Sequence, residues 1–296
     1  MHIITPVTFT TGMLVSSTVS ESYPLWVSGT NYSTGTIVWY TDGIYQALVN
    51  HTNTTVPGSD PTHWVRLGPS NHYACFDRQS GNATTASTSM TITVSAGNFD
   101  SIALVNLTGA DTINIKVRNG LGGTILWEVD KNLNNANLTS WYDYFFIDPD
   151  SKLSQFIFTG IPTNASAHIT LTITGATLSL GEFVFGYKRT LGLTQYGAKV
   201  GITDYSKKTT DDFGTTSFVK RAYSKKLSCD VIIENANINK VQNLLYSIRA
   251  TPVVWIASDM DIYSEPLIVY GFYKDFSTSI SYASYALCSL ELESLA

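Results

Sequence analysis

The sequence has few charged residues. They make up 14% of 296 residues, about half the share found in an average globular protein. The formal net charge is -5, which argues against a nucleic-acid partner. The main basic cluster, Lys220-Arg221 and Lys225-Lys226, is interrupted by three uncharged residues, so we interpret it as the solvent face of a strand. Hydroxyl and amide side chains replace the charges, as is typical of β-sandwiches and of subunits of large assemblies.

Cysteine and histidine are also scarce. The three cysteines, Cys75, Cys229 and Cys288, are far apart in the sequence, and no CxxC motif occurs. The five histidines have no zinc-ligand spacing, so we expect no metal and no cofactor. Cys229 and Cys288 lie in strand-like segments, which predicts buried free thiols in a protein made in a reducing cytoplasm.

Long apolar runs are absent. No run of 18 apolar residues occurs, and the first residues have neither a basic region nor an apolar region of a signal peptide. We therefore expect no membrane insertion and no secretory leader.

Catalytic motifs are absent as well. The sequence has no G-x-S-x-G, HExxH or P-loop motif and no Cys/His nucleophile pair. Its carboxylate clusters are Asp148-Pro-Asp150, Asp211-Asp212 and Asp259-Met-Asp261. Each lies beside residues typical of turns, where Asp is favoured. We expect that the protein is not an enzyme.

Aromatic residues, in contrast, are concentrated between Trp26 and Leu67. Two short alternating segments, residues 35–40 and 44–49, are joined by Thr41-Asp42-Gly43, which predicts a β-hairpin. Trp64-Val-Arg-Leu67 follows after a polar loop. So short a segment cannot form a large aliphatic core, so aromatic rings must supply the buried area.

This spacing of aromatic residues resembles the type 3 chitin-binding module, a small carbohydrate-binding domain that is also common on bacteriophage tail proteins. The resemblance covers about residues 24 to 68 and implies a module that contacts glycans. Candidate glycan- or partner-binding residues are Trp39, Tyr45 and Trp64. A core position remains an alternative for Trp64, for Trp39 and for Trp26.

Among these candidates, we predict that Trp39 is the most exposed. Val38 and Tyr40 occupy the family's core positions, and side chains alternate between the two faces of a strand. Trp39 should therefore point away from the module's core into solvent. Such a ring usually marks a binding partner, either sugar or protein.

We divide the chain into four regions. Residues 1–23 form an N-terminal β arm that could pair with a later strand or with a neighbouring subunit. Residues 24–69 are the small carbohydrate-binding-like module. Residues 70–187 carry several short strand patterns separated by turns, which predicts a jelly-roll-like β-sandwich. Asn119-Gly-Leu-Gly-Gly123 lies between two of these strands and is predicted to be a hairpin turn.

Residues 188–296 combine strands with one helix near Asn237 to Arg249. Ile238, Val241, Leu244, Leu245 and Ile248 form one apolar stripe. Asn235 or Asn237 could cap the helix, and Thr251-Pro252 ends it.

This order of strands and helix resembles the domain shared by tail-tube and distal-tail proteins of tailed phages. The resemblance rests on the helix, on Arg249-Ala-Thr-Pro-Val-Val-Trp255 and on Val269-Tyr-Gly-Phe-Tyr-Lys-Asp-Phe276. It implies a homo-oligomeric ring in which the sheet continues into the next subunit. Trp255, Tyr270 and Phe272 are the candidate oligomerisation residues.

The sequence therefore predicts a mainly β protein with a small aromatic module, a β-sandwich and a C-terminal β domain with one α-helix. The resemblances imply a structural virion protein of a phage tail tip or baseplate. Its expected partners are other tail proteins, further copies of itself and host surface polysaccharide. The alternative is a free or accessory carbohydrate-binding protein without a virion role.

Overall fold

The computed structural model describes residues 1–52, 54–133, 153–210, 212–258, 265–280 and 282–295. The protein is mainly β, as predicted. One 14-stranded antiparallel sheet dominates, accompanied by two two-stranded sheets and one three-stranded sheet. The described residues contain a single α-helix.

The elements follow the chain in three groups. The first 69 residues form β1 (His2–Pro6), β2 (Leu14–Ser17), β3 (Asn31–Tyr32), β4 (Ile37–Tyr40), β5 (Gly43–Ala47), β6 (His51–Thr52) and β7 (Trp64–Pro69). The middle region forms β8 (Thr84–Ala86), β9 (Ser89–Ser95), β10 (Ser101–Asn119), β11 (Ile125–Asn132), β12 (Phe156–Thr159) and β13 (Ala167–Thr190). The last region forms β14 (Leu193–Thr194), β15 (Lys199–Asp204), β16 (Lys207–Thr210), β17 (Thr216–Val219), β18 (Tyr223–Glu234), α1 (Ile238–Ser247), β19 (Val253–Ile256), β20 (Ile268–Ser279) and β21 (Tyr285–Ser294). Short 3₁₀ helices occupy Thr11–Met13, Pro57–Ser59, Ala74–Phe76 and Asn235–Asn237.

Strand β1 joins the two halves of the main sheet. It pairs antiparallel with the end of β13 on one side and with β19 on the other. Of the two roles predicted for the N-terminal arm, the structure shows pairing with later strands of the same chain. The predicted boundary at residue 187 lies inside β13, so the sheet runs continuously from the middle region into the last one.

The middle region is organised by β10 and β13, which pair along most of their length. The sequence predicts each of them as two short strands. Instead, β10 and β13 are each one continuous strand. Their pairing shifts register near Gly109, and φ is positive at Asn106, Gly109 and Thr177. An extra residue in a strand reverses which side chains face the core. In the first half of β10 the core side chains are therefore at even-numbered positions, Ile102 and Leu104. In the second half they are at odd-numbered positions, Ile113, Ile115 and Val117.

The hairpin between β10 and β11 confirms the prediction for Asn119–Gly123. Gly120 and Gly122 have φ values of 81° and 71°, which glycine adopts without steric cost. A turn between two strands is therefore the structure of this glycine-rich segment.

The last region packs α1 against the face of the sheet formed by β18 to β21. Ile238, Val241, Leu245 and Ile248 are buried there, which confirms the predicted apolar stripe. Asn237 occupies the N-cap position of the helix, as one of the two predicted alternatives, but its side chain makes no capping hydrogen bond. Asn235 Nδ2 donates instead to the carbonyl oxygens of Tyr282 and Ala283.

Candidate functional site

The small module is built around aromatic rings. Its core consists of Trp26, Tyr32, Val38, Tyr45, Ala47 and Trp64. The ring centroids of Tyr32 and Trp64 are 5.0 Å apart, and those of Trp26 and Tyr40 are 5.2 Å apart, both edge to face. This geometry is favourable for aromatic pairs. Rings therefore supply the buried area of the module, as its short length predicts.

Two of the three candidate binding rings, Tyr45 and Trp64, belong to this core, and a core position is the alternative that the sequence leaves open for Trp64. Trp64 is 2% exposed and Tyr45 is 7% exposed. Trp64 is held edge-on by Tyr32 and His51. Tyr45 lies beneath the β4–β5 turn, where a Cβ on Gly43 would lie 2.8 Å from its ring. Neither ring offers a face to a ligand.

Trp39 points away from that core, in agreement with the alternation along β4, but it is half-buried rather than exposed. Its ring lies edge to face on the imidazole of His72, with centroids 5.6 Å apart. The Trp39 backbone also accepts a hydrogen bond from Trp26 N and donates one to Pro24 O. The ring thus packs on the segment that follows the module.

His72 lies in a polar junction between the module and the β-sandwich. The Glu21 carboxylate, only 5% exposed, accepts hydrogen bonds from the backbone N–H groups of Asn71 and His72. One carboxylate oxygen also lies 3.0 Å from His72 Nδ1. The Asn71 side chain donates to the carbonyl oxygens of Ser20 and Thr85. Trp39 therefore covers a hydrogen-bonded joint that fixes the module to the rest of the chain.

Of the three predicted oligomerisation residues, two are buried and one is exposed. Trp255 and Tyr270 are buried inside the chain, 0% and 4% exposed. Trp255 Nε1 donates to Gly271 O at 3.1 Å, and β19, which carries Trp255, is covered on both sides by β1 and β20. Phe272, 37% exposed, remains available for contact.

The structure reveals another surface, which sequence reasoning missed. Residues 196–222, here called the C-terminal arm, contain no buried side chain among those described. The arm comprises β15, which pairs with β18, and the separate hairpin of β16 and β17. Its large apolar side chains are all exposed: Tyr196, Val200, Ile202, Tyr205, Phe213, Phe218 and Val219.

A sequence signal for the arm does exist. Val200 and Ile202 alternate with Lys199, Gly201 and Thr203, which is the pattern of a half-buried strand. In the structure both side chains are exposed, so the described residues leave this apolar face uncovered.

Of the six Asp residues in the predicted carboxylate clusters, the structure describes one, Asp212. Asp212 lies in a turn and is exposed, as predicted for a turn former. Asp148, Asp150, Asp211, Asp259 and Asp261 lie outside the described residues. Within the described part of the chain, no group of three or more His, Cys, Asp or Glu side chains could hold a metal ion.

All three cysteines are buried free thiols, as the sequence predicts for Cys229 and Cys288. Burial raises the pKa of Cys75 to about 12 and that of Cys229 to about 11. Because the thiolate is the reactive species, these side chains act as small apolar groups of the cores.

No helix among the described residues is long and apolar enough to span a membrane. No protein-family model matches the sequence, and no curated protein is significantly similar to it.

Proposed function

We propose that the protein is a structural virion subunit of a bacteriophage tail tip or baseplate, and that copies of it assemble into a ring through the C-terminal arm. The observation that carries the proposal is the arm itself: seven large apolar side chains are exposed on a segment without one buried residue among those described. Contiguous apolar patches on a protein surface mark interaction sites, and seven exposed apolar side chains within one short segment can supply such a patch. An isolated two-stranded hairpin is marginally stable in water.

Charge supports a second copy of the chain as the partner of the arm. Residues 196–222 contain five Lys or Arg and three Asp, a net charge of +2. The remaining residues contain 13 basic and 20 acidic side chains, a net charge of -7. The positively charged arm of one subunit is therefore complementary to the negatively charged remainder of a neighbouring subunit. Opposite charge also speeds the association of the two subunits. Contacts of arm to body, repeated around an axis, close into a ring.

The small module takes a docking role in this proposal. Tyr45 and Trp64 are buried and Trp39 packs on His72, so the module's rings do not form a glycan platform. Its exposed apolar side chains are aliphatic: Leu25, Val27, Leu48, Val49, Val65 and Leu67. Such side chains suit contact with neighbouring tail proteins better than stacking on sugar.

The proposal is tested on the full chain, because β1 belongs to the C-terminal half of the sheet. Sedimentation and native mass spectrometry would follow the wild type up to roughly 100 µM, where an association of about 5.5 kcal/mol becomes visible. We expect concentration-dependent assembly and rings in negative-stain images. A double substitution, Phe213→Ser with Phe218→Ser, should shift assembly to at least roughly tenfold higher concentration.

Leu121→Ser is the matched control, since Leu121 is exposed in the β10–β11 turn, outside the arm, and should leave assembly unchanged. A wild type that stays monomeric throughout, or an arm variant that assembles like the wild type, would contradict the proposal. Absence of the protein from the tails of purified phage particles would contradict the virion assignment, and a monomer that is retained on chitin would instead favour the free carbohydrate-binding protein.

A further inference from the structure

The imidazole of His72, in the joint between the small module and the β-sandwich, faces a hydrogen-bond acceptor on each side. Its Nδ1 atom lies 3.0 Å from Glu21 Oε1, and its Nε2 atom lies 2.9 Å from the carbonyl oxygen of Val19. A neutral imidazole carries a proton on one nitrogen, whereas an imidazolium carries a proton on each. Only the imidazolium therefore has an N–H group for both oxygens.

The Glu21 carboxylate is held in a way that suits its charged form. Its side chain is 5% exposed, and its two oxygens accept hydrogen bonds from the backbone N–H groups of Asn71 and His72. An ionised carboxylate only accepts hydrogen bonds, so two backbone donors match it. A buried charge also needs a partner of opposite sign. His72 is the basic side chain in contact with Glu21.

The surroundings of His72 keep this pair close and partly shielded from water. The His72 side chain is 22% exposed, and the Trp39 ring packs edge to face on it. Partly buried charges are screened less than charges on the surface. Asp42, on the turn after Trp39, is paired with Arg66 at 3.0 Å. Glu21 is therefore the charged side chain that contacts His72.

The contacts of His72 connect the module to the β-sandwich. Val19 is 5% exposed and packs in the core of the sandwich, so its carbonyl group is fixed there. Trp39 belongs to β4 of the module, and His72 follows β7, the last strand of the module. A neutral His72 would turn a nitrogen lone pair toward either Glu21 or Val19. One contact of the joint would then be repulsive.

We propose that His72 is a pH-sensitive latch between the small module and the β-sandwich. In its doubly protonated form it joins Glu21 to Val19 and holds the module in place. As the pH rises, the imidazole loses one proton and the module loosens on its joint. Histidine is the side chain suited to such a change between pH 5 and 8. The latch does not depend on ring assembly.

NMR of the imidazole nitrogens in the isotope-labelled full chain tests the protonation directly. The His72 signals are assigned by their absence from the His72→Gln variant. We expect protons on both nitrogens at about pH 5 and the loss of one of them by about pH 8. A singly protonated His72 at the lower pH, or an imidazole that keeps both protons across this range, would overturn the proposal.

Limited proteolysis tests whether the proton holds the module. The rate of cleavage near residues 68–72 is divided by the rate for His72→Gln at the same pH, which cancels the pH dependence of the protease. For the wild type this ratio should be roughly tenfold lower at about pH 5 than at about pH 8, the effect of one charge-assisted hydrogen bond. An equal ratio at the two pH values would contradict the latch.

His168→Gln is the matched control for the loss of an imidazole. His168 lies on β13, outside the joint, and its Nδ1 atom contacts the Ser166 carbonyl oxygen. This variant should keep the wild-type dependence of cleavage on pH. Loss of that dependence in His168→Gln would show that the effect does not come from His72.

Glu21→Gln separates the charge of the latch from its shape. The variant keeps the size of the side chain but removes the negative charge, so the doubly protonated fraction of His72 at about pH 6 should fall. An unchanged fraction would overturn the role of Glu21. The Phe213→Ser, Phe218→Ser variant should keep the latch, so failure of ring assembly and failure of this inference are distinguishable.

Discussion

Ile3 and Ile4 are adjacent in the sequence, yet their side chains lie in different hydrophobic cores. Ile3 packs in the core beneath α1, and Ile4 packs in a second core with Ala103, Val184 and Val254. Successive side chains of a strand point to opposite faces, and the two cores cover the two faces of β1 at these positions, while β13 and β19 pair with its two edges. One short strand therefore holds together the two halves of the main sheet.

Substitution at either position should destabilise the whole protein. Both side chains are 0% exposed, so Ile3→Ala and Ile4→Ala should each cost about 2–5 kcal/mol of unfolding free energy. Chemical denaturation followed by far-UV circular dichroism measures this. Val15→Ala, at an exposed position of β2, is the control and should stay within about 0.5 kcal/mol of the wild type. Equal stability of all three variants would contradict the role assigned to β1.

Trp39→Ala should loosen the joint between the small module and the β-sandwich. The edge-to-face contact with His72 is an aromatic pair of a type worth about 0.5–1.5 kcal/mol beyond the area it buries. We expect a loss of about 1–2 kcal/mol and faster limited proteolysis near residues 68–72. Leu67→Ala, an exposed position of the same module, should change neither quantity. Wild-type proteolysis of the Trp39 variant would show that the ring does not secure the joint.

Stability should fall with rising pH because of Glu182. Its carboxyl stays protonated in the folded protein until about pH 9, whereas its ordinary pKa is 4.5. Between these values the folded state binds the extra proton, so the unfolding free energy decreases with pH, by at most about 1.4 kcal/mol per pH unit.

Glu182→Gln keeps the shape of the side chain but cannot ionise. Between pH 5 and 8 the unfolding free energy of this variant should therefore not show the decrease with pH that Glu182 causes in the wild type. The difference between the two proteins should therefore grow steadily in favour of the variant. Charges facing the carboxyl from nearby elements are those of Asp77 and Arg78. Parallel pH profiles would mean that Glu182 ionises normally.

Gly109→Ala should be far more damaging than Gly120→Ala. Both glycines have positive φ, 73° and 81°, so alanine costs about 1–2 kcal/mol at either position. At Gly109 a Cβ would also lie 2.3 Å from the Ala176 carbonyl oxygen, whereas nothing lies within 4 Å of a Cβ at Gly120. We expect a total loss of more than about 3 kcal/mol for Gly109→Ala. Similar denaturation midpoints for the two variants would contradict this.

The sequence predicted local features well. The stripe from Ile238 to Ile248, the β4–β5 hairpin and the buried thiols all depend on short-range patterns, and the structure confirms them. It did not predict that β10 continues past Asn106 and Gly109. Such residues usually mark turns, but here they are irregularities within one long strand.

The candidate site could be predicted only in part, for a related reason. Alternation shows which way Trp39 points. It does not show that His72 contacts the ring, because three further strands, β5, β6 and β7, lie between the two residues in the sequence. The burial of Trp255 could not be predicted either, because its pairing partner Ile3 lies on β1, far away in the sequence. The sequence pattern within one strand carries no information about a contacting residue that lies so far away in the sequence.

The position of β1 also sets an order for folding. Ile3 is synthesised long before its strand partners, Arg189 and Trp255. Until residue 256 has left the ribosome, β1 has at least one unpaired edge, and the last region lacks a strand of its sheet. Contacts between such distant segments form slowly, and open edges promote association of incomplete chains. Late folding intermediates of this protein should therefore depend on chaperones that cover exposed strands.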